Sequence, residues 1–318
     1  LKRNTPYYWK VKVYTHTNET DWSEPASWSM GLLNEADWQG QWIGLDRPAP
    51  GDSETQWSRL AARYLRKEFA LAKEVKRATV HIAGMGLYEL FINGQRIGEQ
   101  VLAPAPTDYR KTILYNTYDV TPQLQKENAI GVILGNGRFY TMRQNYKPYK
   151  IPTFGYPKLR LNLIVEYTDG SRQTISSDIS WKLTTEGPIR SNNEYDGEEY
   201  DARKELGDWN RTGYDDTNWI SAQRVSIPSG TLRAQMMPGM KVTESLKPVS
   251  IRKQGDKHIL DIGQNMAGWL RIRIKGQAGD SIRLRFAERL QPDGEIFTKN
   301  LRDAHCTDIY AVSYTHLR

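Results

Sequence analysis

Apolar and polar residues alternate over many short stretches of this 318-residue chain, which is the pattern of β-strands with one buried face. Residues 159–167 are the clearest example, with an apolar side chain at every second position. No stretch keeps the apolar spacing of an amphipathic helix over three turns, although a short helix is predicted at residues 121–125 after a Thr-Pro start. The sequence therefore predicts an all-β protein.

Turn residues between the alternating stretches predict hairpins. Asn93-Gly94 follows residues 88–92, and both residues tolerate the positive φ that a two-residue hairpin turn requires. Asp169-Gly170 closes the stretch 159–167, and a return strand through Ile175 is predicted after it. This spacing favours antiparallel β-sandwiches over alternating β and α units.

A third hairpin is predicted between residues 270–274 and 282–286, across the turn 276–279. One face of this hairpin would be apolar. The other face would carry five basic residues: Arg271, Arg273, Lys275, Arg283 and Arg285. Because like charges directly across a hairpin repel, we expect an acidic surface or another domain to face them.

The first 34 residues show the pattern of the closing edge of a small sandwich. Trp9, Val11 and Val13 would share one strand face, and residues 22–28 are typical of the next turn and strand. The earlier strands of such a sandwich are not in this sequence. We therefore expect an N-terminally truncated fragment with an incomplete core in this part.

The composition is that of a folded globular protein, with 38% hydrophobic and 25% charged residues. The longest apolar run, residues 129–134, is too short to span a bilayer, so no membrane partner is expected. The net charge of +7 is not concentrated in one region and no nucleic-acid fold signature is present, so no nucleic-acid partner is expected. The single cysteine, Cys306, excludes an internal disulfide and leaves the compartment open, and we favour a periplasmic or secreted location over a cytoplasmic one.

Common catalytic and cofactor motifs are missing from the sequence. It contains no phosphate-binding loop, no His-Glu-x-x-His zinc helix, no Cys-x-x-Cys pair and no Gly-x-Ser-x-Gly elbow. The five histidines share no metal-ligand spacing. We therefore expect no cofactor and no metal.

An acidic segment at residues 196–203 is the best candidate for carboxylate chemistry. It carries Asp196, Glu198, Glu199, Asp201 and Arg203. In a strand, Glu199 and Asp201 would share a face about 7 Å apart, near the carboxylate separation of inverting glycosidases. Any acidic i, i+2 pair in a strand meets this test, and Arg203 offers an ion-pair partner. The favoured interpretation is a structural acidic strip with no catalytic residue.

The segment 135–157 interleaves aromatic and basic residues. It contains six aromatic residues, Phe139, Tyr140, Tyr146, Tyr149, Phe154 and Tyr156, and four basic ones, Arg138, Arg143, Lys147 and Lys150. Such a mixture can stack on sugar rings and donate hydrogen bonds to hydroxyls. An ordered loop packed on a neighbouring domain is an equally good interpretation.

A series of motifs resembles bacterial α-L-rhamnosidases, glycoside hydrolase family 78, over residues 1–311. In chain order they are YWKV at 8–11, WSEP at 22–25, GLL at 31–33, W-x3-WIG at 38–44, LGNG at 134–137, DGEEYDAR at 196–203, DIGQN-x2-G at 261–268 and E-x-L-x2-DG at 288–294. Each motif alone is weakly specific, whereas the ordered series is specific.

The resemblance implies tandem sandwiches with approximate boundaries. Residues 1–34 would be the C-terminal part of a fibronectin-III-like domain, 37–227 the family's N-terminal jelly-roll-like sandwich, and 228–311 a truncated concanavalin-like sandwich. Residues 312–318 break the family pattern and look like a translated sequencing-adapter artefact.

The resemblance also implies where the activity of the family lies. A following (α/α)6 barrel hydrolyses terminal α-L-rhamnose by inversion, and this sequence has no counterpart of it, so no catalytic residue is transferred. The expected partners are the missing C-terminal catalytic domain of the same chain and a rhamnose-containing carbohydrate. The acidic strip is a possible partner for the basic hairpin.

Some relatives bind rhamnose on the jelly-roll-like domain with calcium held by an acidic residue and an asparagine. Asn136 matches that asparagine, but Gly135 stands where a carboxylate would help. Because calcium takes six to eight oxygen ligands, calcium is not expected here. Four residues are the candidates for sugar binding: Asn136, Arg138, Tyr140 and Tyr149.

Three functions follow as hypotheses. The leading one is the non-catalytic N-terminal part of an α-L-rhamnosidase that acts on glycosides or polysaccharides. A stand-alone carbohydrate-binding module is the second, and a structural spacer that docks the catalytic barrel is the third.

Overall fold

The structure is a computed structural model that describes residues 1–53, 59–140, 154–302 and 304–313. Within these ranges the regular structure is β-strand apart from short 3-10 helices, which confirms the predicted all-β class. The 3-10 helices are Glu35–Asp37, Thr121–Gln123, Ala202–Lys204 and Lys299–Leu301. The second of these is a shorter form of the helix predicted at 121–125.

The strands are numbered in chain order. They are β1 (Pro6–Trp9), β2 (Ala26–Ser29), β3 (Ile43–Gly44), β4 (Arg63–Ala70), β5 (Val75–Met85), β6 (Leu87–Ile92), β7 (Gln95–Arg96), β8 (Thr112–Asp119), β9 (Glu127–Gly135), β10 (Lys158–Tyr167), β11 (Arg172–Ser176), β12 (Lys182–Thr184), β13 (Ile189–Asn193), β14 (Gly197–Asp201), β15 (Ile220–Ser221), β16 (Gln223–Arg224), β17 (Thr231–Ala234), β18 (Ser250–Gln254), β19 (Lys257–Asp261), β20 (Ser281–Arg285) and β21 (Thr307–Ala311).

Two large sheets form the central sandwich. One has the order β16-β3-β10-β5-β8-β17 with β11 beside β10, and the other has the order β15-β12-β4-β9-β6-β7. Pairing within them is antiparallel except where β17 runs parallel to β8. Their alternating apolar residues meet in one core whose members include Ile82, Leu163 and Trp181, all 0% exposed. The alternation therefore predicted both the strands and the face that each one buries.

Two of the predicted hairpins are confirmed. Ile92 pairs with Gln95 across Asn93 and Gly94, whose φ values are +51° and +81°, so both turn residues occupy the left-handed region. Strand β10 turns through Asp169-Gly170 into β11, where Glu166 pairs with Arg172.

The third predicted hairpin is wrong. Strand β20 pairs antiparallel with β21, and residues 270–274 form no strand. Ile272 and Ile274 still pack with Ile282 in one apolar cluster, so the predicted apolar faces meet without forming a ladder. Strand β21, which takes the place of residues 270–274 beside β20, contributes Tyr310, which stacks on Tyr200 with ring centroids 5.5 Å apart. Burial of this aromatic pair holds β21 in the sheet, so β20 pairs with β21 and not with residues 270–274.

The N-terminal part is a two-stranded antiparallel sheet of β1 and β2. The strand predicted through residues 9–13 ends at Trp9, because Val11 and Val13 donate their backbone N–H groups to the side chains of Ser23 and Thr20. Trp9, Val11 and Val13 are 52%, 46% and 49% exposed, so their apolar faces contact solvent.

Candidate functional site

A turn directly after β9 holds the first of the predicted sugar-binding residues. Asn136 is buried, and its Nδ2 donates hydrogen bonds to the Leu60 carbonyl at 3.3 Å and the Asn192 carbonyl at 2.7 Å. The Asn192 Oδ1 in turn accepts from the Asn136 backbone N–H at 2.6 Å. Among the described residues, the Asn136 Oδ1 is buried and accepts no hydrogen bond. Most of this amide holds the turn against β13.

Arg138 is the predicted sugar-binding residue that the turn leaves partly open to solvent. Its Nη1 donates to the Tyr195 hydroxyl at 2.5 Å, and its Nη2 lies 3.1 Å from the Glu194 Oε2. Its guanidinium also lies over the Tyr195 ring, 5.6 Å from the centroid. Burial raises the pKa of Glu194, and the Arg138 charge opposes that rise.

Tyr140 does not present a free ring face to solvent. It is 2% exposed and stacks on Tyr156 with centroids 5.4 Å apart. Phe139 is also buried, and it packs against Tyr109 and Phe154. The ring-rich segment thus forms a packed layer at the positions that the structure describes, and its ring partners lie within the same sandwich and not on a neighbouring domain. Tyr149 lies outside the described residues, as do Arg143, Tyr146, Lys147 and Lys150.

A buried ion pair lies beneath these rings. The Arg63 Nη2 contacts the Asp52 Oδ2 at 3.1 Å, and the Arg63 guanidinium lies 5.7 Å from the Tyr156 ring centroid. Burial lowers the pKa of Arg63, and Asp52 opposes that effect. Such a fully desolvated pair is held by its partners and is not free to bind a ligand.

Calcium does not fit the described part of this turn. The Asn136 Oδ1 is one suitable oxygen, but the neighbouring carboxylates of Glu194 and Asp52 contact arginines. A calcium ion takes six to eight oxygen ligands. Over the part of the chain that the structure describes, no three His, Cys, Asp or Glu side chains are grouped to hold a metal ion.

The acidic strip lies on and around β14, and the carboxylates of Asp196, Glu199 and Asp201 contact basic groups or backbone N–H groups. Asp201 forms a two-point ion pair with Arg203, with both N–O distances 2.8 Å, and this pair lowers the pKa of Asp201. Glu199 forms an ion pair with Arg59. The Asp196 Oδ1 accepts from the His305 backbone N–H at 3.1 Å. A carboxyl with a lowered pKa is a poor proton donor, which disfavours Asp201 as a general acid.

The strip and part of the predicted basic face adjoin one groove of about 370 Å³. Its lining residues are Ser191, Asp196, Gly197, Glu199, Arg283, Arg285, His305, Thr307 and Ile309. The groove brings Asp196 and Glu199 together with Arg283 and Arg285, although β20, which carries both arginines, pairs with β21 and not with residues 270–274. Arg271, Arg273 and Lys275 do not line it.

Several partners at these two sites could not be predicted from the sequence. Arg59 lies 140 positions from Glu199, and Arg63, Asn192 and Tyr195 reach their partners through the sandwich fold. None of these residues lies in a recognisable motif, so the sequence carries no signal for them.

Over the described residues, no helix has the length and apolar character needed to cross a membrane.

Three family descriptions match the chain in sequence order. Residues 1–34 match a Rha78A-like N-terminal immunoglobulin domain, 73–244 an alpha-L-rhamnosidase N-terminal domain, and 251–315 a bacterial alpha-L-rhamnosidase concanavalin-like domain. The first description names an immunoglobulin domain where the sequence predicted a fibronectin-III-like one, and both are β-sandwiches.

Curated relatives carry the same enzyme name. An alpha-L-rhamnosidase of Formosa agariphila is 39% identical over 315 residues, covering 92% of this chain and 33% of that protein. One from Streptomyces avermitilis is 38% identical over 318 residues, covering 95% of this chain and 29% of that protein. The chain therefore spans about a third of the length of these relatives.

Solved structures agree with these matches. The alpha-L-rhamnosidase titled as from Dictyoglumus thermophilum superposes with a TM-score of 0.86 at 38% identity, over 98% of this chain and 36% of that one. The Aspergillus terreus enzyme gives a TM-score of 0.91 at 35% identity, over 100% of this chain and 37% of that one.

Proposed function

Because this chain belongs to the α-L-rhamnosidase family, we propose that it is the non-catalytic accessory region of an enzyme that hydrolyses terminal α-L-rhamnose from glycosides or polysaccharides. The observation that carries the proposal is the partnering of the acidic strip. Glu199 and Asp201, the pair considered for catalysis, each form an ion pair with an arginine. Neither carboxylate is held for proton transfer.

The proposed partners are a catalytic domain and a rhamnose-containing carbohydrate. Support for a docking role comes from the exposed apolar side chains after residue 230, among them Met236 at 91%, Ile251 at 62% and Trp269 at 56%. Contiguous exposed apolar side chains are typical of an interaction surface, and the docking role places these residues against the catalytic domain. The domain boundaries 1–34, 37–227 and 228–311 remain part of this proposal.

Hydrolysis of nitrophenyl α-L-rhamnoside tests the absence of catalysis. The purified chain is expected to release no nitrophenol above the buffer rate, with the Formosa agariphila enzyme as the positive control. Release that disappears in Glu199→Gln or Asp201→Asn would overturn the proposal. Those two variants also serve as mutual controls, since each removes one carboxylate and leaves the other.

A second candidate function is sugar binding at the Asn136 turn, for which the sequence predicted Asn136, Arg138, Tyr140 and Tyr149. Asn136 and Arg138 lie at this turn, whereas Tyr140 is packed on Tyr156 and Tyr149 lies outside the described residues. The Asn136 Oδ1 favours it: among the described residues this buried acceptor has no donor, which is costly, and a sugar hydroxyl would supply one. Calorimetric titration with L-rhamnose is the test. Binding should weaken in Arg138→Gln and not in the exposed control Arg110→Gln. A titration without heat at millimolar rhamnose would contradict this function.

A further inference from the structure

The groove beside the acidic strip is formed by a four-stranded sheet of order β13-β14-β21-β20. Strand β14 runs parallel to β21, and the other pairs are antiparallel. Glycine at position 197 permits the close approach of β14 to β21, because an added Cβ would lie 2.2 Å from the Thr307 carbonyl oxygen and its φ is +102°. The sheet therefore joins the C-terminal strands directly to the acidic strip.

The strand register places the groove residues on one face. Glu199 pairs with both Ser191 and Ile309, and Ile309 pairs with Arg283 on the next strand. Two residues along, Thr307 pairs with Arg285. The opposite face carries the stacked Tyr200 and Tyr310, which pack in an apolar cluster. The face with Arg283 and Arg285 is therefore the one open to solvent.

The charged side chains on this face differ in whether another group of the protein contacts them. Glu199 contacts Arg59, and the Asp196 carboxylate accepts a backbone N–H. The side chains of Arg283 and Arg285 are exposed, and within the described ranges their guanidinium groups form no ion pair or hydrogen bond. The groove thus has two cationic groups available at positions about 7 Å apart along one strand.

The remaining lining suits a sugar better than a simple inorganic ion. Ser191 and Thr307 supply hydroxyls that both donate and accept, and Ile309 supplies an apolar floor between the charged rows. A guanidinium group binds a carboxylate or sulfate through two parallel hydrogen bonds. A volume of about 370 Å³ lies within the usual size of small-ligand sites.

We propose that this groove binds an acidic saccharide, with the carboxylate or sulfate group of the sugar held by Arg283 and Arg285. The saccharide part rests on the proposed function, whereas the anionic part rests on the two arginines. The site is separate from the Asn136 turn and uses none of its residues.

Calorimetry with the 318-residue chain tests the proposal through a matched pair of probes. Trigalacturonic acid is titrated against its methyl ester, which keeps the sugar rings and removes the charges. Galactose 6-sulfate against galactose forms a second arm that separates sulfate from carboxylate. We expect binding of at least one charged probe, weaker binding or none of its neutral partner, and an affinity that falls as salt rises.

Two double variants locate the binding. Arg283→Gln with Arg285→Gln should weaken binding by about tenfold or more, since it removes the charge-assisted hydrogen bonds. Arg271→Gln with Lys275→Gln removes the same charge outside the groove and should change affinity less than about twofold. Replacing Arg283 and Arg285 by lysine keeps the charge and should restore part of the affinity, which separates lost contacts from a lost fold.

Three results would overturn the proposal: no binding of either charged probe, equal binding of charged and neutral probes, or equal losses in the groove and control variants. Inorganic sulfate that binds as tightly as galactose 6-sulfate would overturn the saccharide part. The nitrophenyl rhamnoside assay reports on the proposed lack of catalysis, and the rhamnose titration of Arg138→Gln reports on the Asn136 turn, so the failure of either is distinguishable from the failure of this proposal.

Discussion

The central sandwich and the two-stranded sheet of β18 and β19 in the C-terminal part of the chain differ in how far their apolar side chains are buried. In the sandwich, Ile82 and Leu163 are 0% exposed because a second sheet covers the first. In strands β18 and β19, Ile251 and Leu260 are 62% and 39% exposed, because these strands form a two-stranded sheet of their own. Pairing of two strands therefore leaves their apolar side chains exposed, and a second layer decides whether these side chains are buried.

Two tryptophan substitutions should show the largest difference between these regions. Trp181 is 0% exposed and donates its Nε1–H to the Ser176 carbonyl at 2.9 Å. Trp181→Ala is expected to lower the free energy of unfolding by about 3–5 kcal/mol. Trp269→Ala, at a position 56% exposed, should cost less than about 1 kcal/mol. Urea unfolding followed by circular dichroism measures both free energies of unfolding. Equal losses in the two variants would contradict the difference in burial between the two regions.

Acid should destabilise the sandwich through His81. Burial lowers its pKa from 6.5 to about 4, and its Nδ1 lies 3.0 Å from the Thr117 Oγ1. The unfolded chain therefore binds a proton at a higher pH than the folded chain does. The resulting stability is fully present above about pH 6.5 and is lost as the pH falls toward 4, by about 3 kcal/mol.

The pH dependence of unfolding checks this assignment. His81→Gln should flatten the loss of stability between pH 6.5 and 4, whereas the exposed control His258→Gln should leave it unchanged. An unaltered slope in His81→Gln would assign the acid sensitivity to other groups.

A substitution in the four-stranded sheet β13-β14-β21-β20 should lower the free energy of unfolding by less than a substitution in the sandwich core does. Tyr310→Leu keeps most of the apolar volume but removes the stack on Tyr200, so about 1 kcal/mol should be lost. Tyr8→Leu is the matched control, because Tyr8 is 73% exposed. If both changes left the unfolding midpoint unchanged, the four-stranded sheet β13-β14-β21-β20 would not contribute to the stability of the fold.

The smallest effect is expected at the acidic strip. Glu199→Gln removes a solvent-accessible ion pair with Arg59, which is worth less than about 1 kcal/mol. Glu24→Gln is the control for an exposed glutamate. A loss of several kcal/mol in the free energy of unfolding would show that Glu199 holds the four-stranded sheet β13-β14-β21-β20 in place, and not only one edge of the groove.

The sequence predicted the parts of the fold that depend on local patterns. The strand β10 and the Asn93-Gly94 turn follow from residues within ten positions of one another. The hairpin at 270–286 was wrong because β20 takes a partner from residues 307–311, and nothing local indicates that choice.

The candidate site was less predictable for the same reason. The composition of residues 135–157 leaves open whether its rings stack on sugars or pack in an ordered loop, and in the structure the ring of Tyr140 stacks on Tyr156 beside an arginine that comes from β4. The acidic strip was visible as a sequence, whereas its partners Arg59 and His305 come from distant segments. Long-range pairing sets the chemistry at both places.

Amide hydrogen exchange measured by mass spectrometry tests the contrast between the two regions most directly. Peptides from β5, β9 and β10 should remain protected for hours, because both faces of the sandwich core are covered. Peptides from β18 and β19 should exchange within minutes in the same sample. Equal, slow exchange in both regions would contradict the account, since the C-terminal strands would then possess a core of their own.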